Sequence, residues 1–241
     1  KNTGAKWSQH FAVQDRRLLR EDNSFGDKVI TTEMWSLSPS DKTIHDSLRF
    51  FTKMIGKDFE PSESIPGTET NHLSVALWIS IGEEKILLGS DLEVTGSDDT
   101  GWAAIVKSNA RPTGESTIFK IPHHGSENAY SEDVWDNMVD KGSPYSIITT
   151  YRNGKVRLPS QSMMDIYSTQ DGDCFIISAQ ALRPKRARFD RTIERQLREI
   201  GVKIDSATRS YGHIRIRKKI DTKSSDWTLE SFGDVGKLPV S

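Results

Sequence analysis

The segment Thr117-Ile-Phe-Lys-Ile-Pro-His123-His124-Gly-Ser126 places two histidines directly after a short apolar run, and Lys85-Ile-Leu-Leu-Gly-Ser-Asp91-Leu-Glu93 places two carboxylates after another. Each run has the length and composition of a buried strand. In α/β folds, sites lie at the C-terminal ends of such strands. We therefore expect Asp91 and at least one of the two histidines to meet at one edge of a sheet.

The rest of the chain alternates apolar strands with amphipathic helices, which predicts α/β architecture with helices covering a sheet. A polar loop is expected over 57–70, one domain over 1–220, and a polar tail or linker over 221–241. The predicted strands are 28–37, 72–81, 84–90, 117–121, 145–150, 173–178 and 211–218. The predicted helices are 41–55, 100–108, 131–140, 160–168 and 190–200.

Composition excludes several classes of protein. The 241 residues carry a formal net charge of −1, so there is no global attraction to nucleic acid or to an anionic membrane. The basic segment 183–188, followed by Arg191, is interpreted as a solvated face rather than as a nucleic-acid site. No apolar stretch approaches 18 residues, so we expect no membrane span.

The single cysteine, Cys174, excludes an intrachain disulfide and fits a reducing, cytoplasmic compartment. The N-terminus has no apolar region of a signal peptide. Because it also lacks an initiator Met, we expect the chain to be a processed or trimmed piece.

Aspartate oxygen and neutral histidine nitrogen are ligands of Zn²⁺, Mn²⁺ and Fe, which makes Asp91, His123 and His124 candidate metal ligands. Adjacent side chains on a strand point in opposite directions, so one histidine is the expected ligand. Its neighbour would bind a second ion, orient the first or contact substrate. Glu93 is either an outer-shell group or a surface acid.

Other polar residues have simpler interpretations. Ser126 and Asn128 are expected to cap the following helix rather than to touch substrate. Arg152 lies near the predicted site. It either holds a phosphate or is a solvated loop charge, and we favour the solvated loop charge. Turn or structural roles are expected for Asn71, His72 and His213, surface positions for His10 and His45, and a core position for Trp102.

Three motifs in order resemble metallo-β-lactamase-fold hydrolases, over roughly residues 28–178. They are Asn71-His-Leu-Ser-Val-Ala-Leu, Gly89-Ser-Asp91-Leu-Glu93 and Ile121-Pro-His-His-Gly-Ser126. The likeness is strongest to the branch that includes the nuclease-like domain of the bacterial competence protein ComEC. Trp35-Ser-Leu-Ser-Pro-Ser40 and Tyr211-Gly-His-Ile-Arg215 resemble the steps before and after these motifs.

The resemblance implies the C-terminal portion of an αββα sandwich and a hydrolase with two divalent ions, Zn or Mn. Asp91 would bridge the two ions, and His123 or His124 would lie at the second ion or in the catalytic pocket. A metal-bound hydroxide would attack a phosphodiester of a nucleic acid or nucleotide.

The family's main ligand motif, His-x-His-x-Asp-His, does not occur in this sequence, and Arg157-Leu158-Pro159 stands where its late Gly-His-Pro motif would fall. Three explanations are open. Another chain or a missing segment supplies the first half of the fold, which we favour; the protein is a degenerate relative; or other ligands such as His10 or His72 are recruited.

The leading hypothesis is a metal-dependent phosphodiesterase or nuclease. The alternative is a non-catalytic scaffold or sensor module in a larger assembly, for example in antiviral defence. A weaker third hypothesis is a nucleic-acid-binding module that acts through residues 183–191.

Overall fold

The computed structural model describes residues 10–55, 70–179, 190–201, 211–219 and 226–239. The helices are α1 (Asp41–Ile55), α2 (Gly101–Lys107), α3 (Glu132–Met138), α4 (Gln161–Ser168) and α5 (Arg191–Glu199). The strands are β1 (Arg16–Phe25), β2 (Lys28–Ser36), β3 (Leu77–Ile81), β4 (Glu84–Leu88), β5 (Ile118–Lys120), β6 (Tyr145–Thr149), β7 (Tyr151–Asn153), β8 (Val156–Leu158), β9 (Asp173–Ile177), β10 (Gly212–Arg217), β11 (Thr228–Gly233) and β12 (Val235–Lys237).

Eight strands form one mixed sheet in the order β1-β2-β3-β4-β5-β6-β9-β12. The strands from β1 to β4 pair antiparallel, as do β9 and β12, whereas β4, β5, β6 and β9 run parallel. The C-terminal ends of β4, β5 and β6 therefore open on the same edge of the sheet. The α/β class predicted from the sequence is confirmed.

The hydrophobic core lies between one face of this sheet and the helices α2, α3 and α4. Strand register aligns Trp35, Trp78, Leu87 and Phe119 across β2 to β5, so their side chains share that face. Trp102 of α2 is 1% exposed in the same cluster, as predicted. These large side chains pack the sheet against the helices and thereby position its edge.

The hairpin of β10 and β11 lies on the opposite face. At one end the Gly212 N–H donates to Ser178 Oγ (3.1 Å), beside the end of β9. Beyond the other end, Lys218 Nζ and Trp227 Nε1 donate to Glu84 at the start of β4 (2.6 and 3.1 Å). Because β4 and β9 run in the same direction, the hairpin crosses this face diagonally.

The predicted start of α1 agrees with the structure, whereas the predicted start of the next strand does not. Helix α1 begins after Ser40, whose Oγ accepts from the Thr43 N–H (3.2 Å), as the sequence around Ser40 predicts. The predicted strand 72–81 is shorter, because residues Thr70–Leu73 form a 3₁₀ turn and β3 begins only at Leu77.

Strand β1 was not predicted, because its ten residues are mostly exposed and lack apolar alternation. It is held by pairing with β2 rather than by burial.

The segment 221–241, expected to be a polar tail, contains β11 and β12 in its described part. Strand β12 pairs with β9 at the edge of the main sheet, and Leu238 packs against the core. Backbone pairing at a sheet edge needs little apolar periodicity, which explains why the prediction missed these strands. The loop 57–69 and the basic segment 183–188 lie outside the described residues, whereas Arg191 is exposed at the start of α5. Among the described helices, none combines the length and apolar character needed to cross a membrane.

Candidate functional site

The loops that follow β4 and β5 are bonded directly to each other. The Gly89 N–H donates to the Lys120 carbonyl (2.9 Å), and the His123 N–H donates to the Ser90 carbonyl (2.9 Å). A Cβ atom at Gly89 would lie 2.9 Å from both the Lys120 carbonyl oxygen and the Pro122 nitrogen. Only glycine permits this close approach, and the approach brings the two predicted motifs together as expected.

The histidine pair lies on a strained turn rather than on the strand itself. Ser90, His123 and His124 have φ values of 51°, 41° and 56°, in the left-handed region that side chains rarely adopt. Gly125 follows with φ 71°. Such backbone conformations concentrate at functional sites, where surrounding structure maintains them. The turn sends the two imidazole rings to different partners, with centroids 6.3 Å apart.

His124 faces Asp91. Its Nε2 atom lies 3.9 Å from Asp91 Oδ1, and its Nδ1 atom lies 3.0 Å from the Thr149 carbonyl oxygen. A carbonyl can only accept, so Nδ1 carries a proton in this contact, and in the neutral ring the lone pair is then on Nε2, the nitrogen that faces the carboxylate. Two acceptors that face each other are stabilised by a cation between them.

The carboxylate of Asp91 is not engaged in its own turn. Its side chain is 50% exposed, and within the described residues it accepts no hydrogen bond. A turn-capping aspartate would accept from a nearby backbone N–H. Asp91 makes no such bond in the part of the chain that the structure describes.

His123 belongs to a second group of side chains around Glu93. Glu93 Oε1 accepts from Asn71 Nδ2 (2.8 Å) and lies 2.9 Å from His123 Nδ1. Asn71 Nδ2 is also 3.3 Å from His123 Nε2, and His72 Nε2 is 3.8 Å from Glu93 Oε2. Glu93 is only 15% exposed, so this carboxylate is embedded in the site and is not a surface acid.

His123 Nδ1 and Glu93 Oε1 lie within ion-pair distance of each other, but the two groups are not oriented to form a hydrogen bond. The Nδ1 atom is buried and has no hydrogen-bond partner among the described residues, although Oε1 is only 2.9 Å away. A buried nitrogen left in this state is costly unless a further group engages it. A modest rotation of the ring would convert the contact into a hydrogen bond or direct Nδ1 to a ligand.

Lys120 adds a positive group under the site. Burial lowers the pKa of Lys120 to about 8, and the nearby charge of Asp91 partly opposes this shift. Its Nζ atom donates to the Ile121 carbonyl (2.7 Å). The lysine interrupts an otherwise apolar strand, which was the sequence signal that could have identified it.

The donor chemistry of Asp91 and His124 fits a divalent ion, but two donors do not complete a site. Two ligands of a tetrahedral zinc ion, each about 2.1 Å from it, lie roughly 3.4 Å apart. The observed 3.9 Å is within a small side-chain adjustment of that separation. Across the described residues, no group of three or more His, Cys, Asp or Glu side chains is placed to hold a metal ion.

No protein-family model, curated protein sequence or solved structure matches this chain.

Ser126 and Asn128 do not cap α3 as predicted. The residue at the N-cap of α3 is Ser131, and it makes no side-chain cap bond. Ser126 instead separates two 3₁₀ turns, and the Asn128 carbonyl accepts from the Val94 N–H (2.7 Å). The prediction failed because these two short turns intervene between the histidines and α3.

Arg152 and the segment that contains Leu158 lie near the histidine turn. Arg152 is exposed on β7. Leu158 ends β8 next to Pro159, and the Pro159 Cβ would lie 3.2 Å from a Cβ built at Gly125. The Arg-Leu-Pro segment is thus beside the histidine turn but brings no ligand there. His10 and His45 are exposed, as expected, and His213 stacks on Phe232 with centroids 4.7 Å apart.

Sequence reasoning underestimated Asn71 and His72, which were assigned turn roles. They do form a turn, but it directs both side chains toward Glu93. The available signal was the position of Asn71 at the head of the first resembling motif. Tyr151, whose ring lies 5.2 Å from the His124 ring, was also missed.

Proposed function

We propose that this chain forms the C-terminal portion of a metal-dependent hydrolase of the metallo-β-lactamase fold, which cleaves phosphodiester bonds. The observation that carries the proposal is the convergence of Asp91 and His124 at the joined ends of two parallel strands, with the Nε2 lone pair facing a carboxylate that has no other described partner. The order of the three motifs supports it.

In this proposal Asp91 and His124 would hold a divalent ion, Zn or Mn. Such an ion would activate water at neutral pH and stabilise the charge on the phosphoryl oxygens. Thr149 orients His124 through its carbonyl, as outer-shell acceptors do for metal-ligating histidines. Asn71 contacts the His123 ring and bonds to Glu93, and His123 would contact substrate or a second ion.

The remaining ligands would come from the first half of the fold, supplied by another chain or a further segment. The sheet face opposite the core supports this, because β3 and β4 present partly exposed apolar side chains there. Register aligns Leu77 with Leu88, and Ile79 with Ile86, on this face. A second layer of the αββα sandwich would bury them beside the β10–β11 hairpin.

The test is cleavage of single-stranded DNA and of bis(p-nitrophenyl) phosphate with Mn²⁺ or Zn²⁺, measured on the protein with both halves of the fold present. Asp91→Ala and His124→Ala should each lower kcat by more than the 10–100-fold typical of outer-shell substitutions. His45→Ala, an exposed position on α1, is the matched control and should leave kcat unchanged. Undiminished cleavage by Asp91→Ala would show that the assignment is wrong.

The second candidate is a non-catalytic scaffold or sensor module, such as a component of antiviral defence. The observation in its favour is that Leu158 stands beside the histidine turn, where the resembling family places a histidine, and leucine cannot bind a metal. Elemental analysis of the same protein separates the two proposals. A scaffold would retain a stable partner yet hold less than stoichiometric metal at neutral pH.

A further inference from the structure

The hairpin of β7 and β8 is an exposed, purely cationic projection beside the candidate site. It carries Arg152, Lys155 and Arg157, and the sequence has no acidic residue between Asp140 and Asp165. All residues from 151 to 157 are exposed. Among the described residues, no carboxylate lies within ion-pair distance of any of these three cations.

The strand register places two of these cations directly opposite each other. Arg152 pairs with Arg157, and the two-residue turn of Gly154 and Lys155 fixes this alignment, with Gly154 at φ 56°. Opposed residues of an antiparallel pair project to the same side, and like charges in that position are destabilising. Since no described side chain neutralises the pair, its charge is available to an external anion.

The hairpin is attached rigidly to the site. Thr149, which ends β6, accepts from His124, and β7 begins two residues later. The Tyr151 ring packs on the His124 ring at 5.2 Å with a 32° tilt. Because side chains alternate along β7, Tyr151 turns toward His124 and the arginine pair projects from the other side. An anion on the arginines is therefore adjacent to the Asp91–His124 pair and not on it.

We propose that the hairpin 151–158 binds the backbone of a single-stranded nucleic acid, with Arg152 and Arg157 on phosphates next along the strand, on one side of the phosphate at the candidate site. The identity of that site rests on the proposed function, whereas backbone binding does not require catalysis. Guanidinium forks match phosphate oxygens in bidentate geometry. Tyr151, 39% exposed, adds an aromatic ring of the kind on which bases stack, which favours nucleic acid over an acidic protein.

The experiment measures binding of a fluorescein-labelled oligothymidylate of about 15 nucleotides by fluorescence anisotropy, over roughly 50–200 mM salt. Each phosphate contact on a single strand contributes about 0.7 to the slope of log K against log salt. Arg152→Ala/Arg157→Ala should therefore flatten the slope by about 1.4 and weaken binding on the order of tenfold at the lowest salt. Arg152→Lys/Arg157→Lys, which keeps both charges, should retain most of the slope.

The matched control is Arg20→Ala/Lys28→Ala, which removes the same charge from exposed positions on β1 and β2, at the other edge of the sheet. Its slope should equal that of the wild type. The proposal is overturned if the wild type does not bind the oligonucleotide, or if Arg152→Ala/Arg157→Ala loses no affinity. It is also overturned if Arg152→Ala/Arg157→Ala and the control Arg20→Ala/Lys28→Ala lose affinity equally. Equal competition by polyglutamate of matched charge would also overturn it, in favour of an unspecific anion surface.

Failure of this proposal can be told apart from failure of the hydrolase proposal. Asp91→Ala should still bind the oligonucleotide even where it no longer cleaves, because the arginine pair is on a separate element. Far-ultraviolet circular dichroism and thermal unfolding confirm that each variant is folded, as we expect because the substituted arginines and lysine are exposed and the Asp91 side chain is half exposed.

Discussion

At the scale of single residues, the site depends on which nitrogen of each histidine is already occupied. His124 has Nδ1 engaged by the Thr149 carbonyl and Nε2 directed at Asp91. His123 has Nε2 beside Asn71 and a buried Nδ1 beside Glu93. The sequence predicted that the adjacent histidines point apart, and they do have different partners. The expected reason, strand alternation, was wrong, because a left-handed turn after β5 sets the ring directions.

Lys120 gives a pH-dependent prediction at this scale. Burial lowers its pKa from 10.5 to about 8 in the folded protein. Below pH 8 Lys120 is protonated in both the folded and the unfolded protein, and the folded protein bears the full free-energy cost of the buried charge. Between pH 8 and 10.5 the folded lysine loses its proton while the unfolded lysine retains it, so stability from this group rises with pH.

Lys120→Met should therefore be more stable than the wild type at about pH 7, on the order of 1–3 kcal/mol. The difference between the two proteins should shrink toward about pH 10. Urea unfolding at both pH values measures it. Methionine also adds apolar burial, but that contribution does not depend on pH. A difference that stays constant or grows with pH would contradict the assigned pKa shift.

At the scale of elements, the decisive feature is the close approach of the loops after β4 and β5. Gly89→Ala would push a Cβ atom against the backbone of Lys120 and Pro122. We expect a loss of about 1–3 kcal/mol in the free energy of unfolding, as for other overpacked positions. Chemical denaturation measures this loss.

Gly96→Ala is the control, since a Cβ there meets nothing within 4 Å and neither glycine has a left-handed φ. Its stability should stay within about 0.5 kcal/mol of the wild type. Equal stability of Gly89→Ala and Gly96→Ala would mean that the loops after β4 and β5 do not need to approach each other so closely.

The sequence predicted the central elements well and the peripheral ones poorly, for a physical reason. Strands β4, β5, β6 and β9 are buried, so their apolar runs carry a clear signal. Strands β1 and β12 pair at the edges of the main sheet, and β7 and β8 pair only with each other. Such backbone pairing leaves little trace in the side-chain pattern. The convergence of Asp91 and His124 was predictable from two strand exits, whereas the Glu93 group required the long-range contact from Asn71 and His72.

At the scale of the whole molecule, one sheet face carries the helices α2 to α4, and the other carries the short β10–β11 hairpin. The candidate site lies at the edge where four parallel strands end, and the cationic β7–β8 hairpin extends beside it. This arrangement places a carboxylate–imidazole pair, the Glu93 group and the cationic hairpin along one side of the protein. It supports the proposed hydrolase and a polyanionic substrate that extends beyond the cleaved bond.

The most direct test of the central claim is an anomalous-scattering map from crystals of the protein with both halves of the fold present, soaked in about 10 mM Mn²⁺. The account predicts one peak roughly 2.0–2.3 Å from both Asp91 Oδ1 and His124 Nε2, with His124 Nδ1 still bonded to the Thr149 carbonyl. A map in which Asp91 and His124 share no peak, while manganese binds elsewhere or not at all, would contradict it.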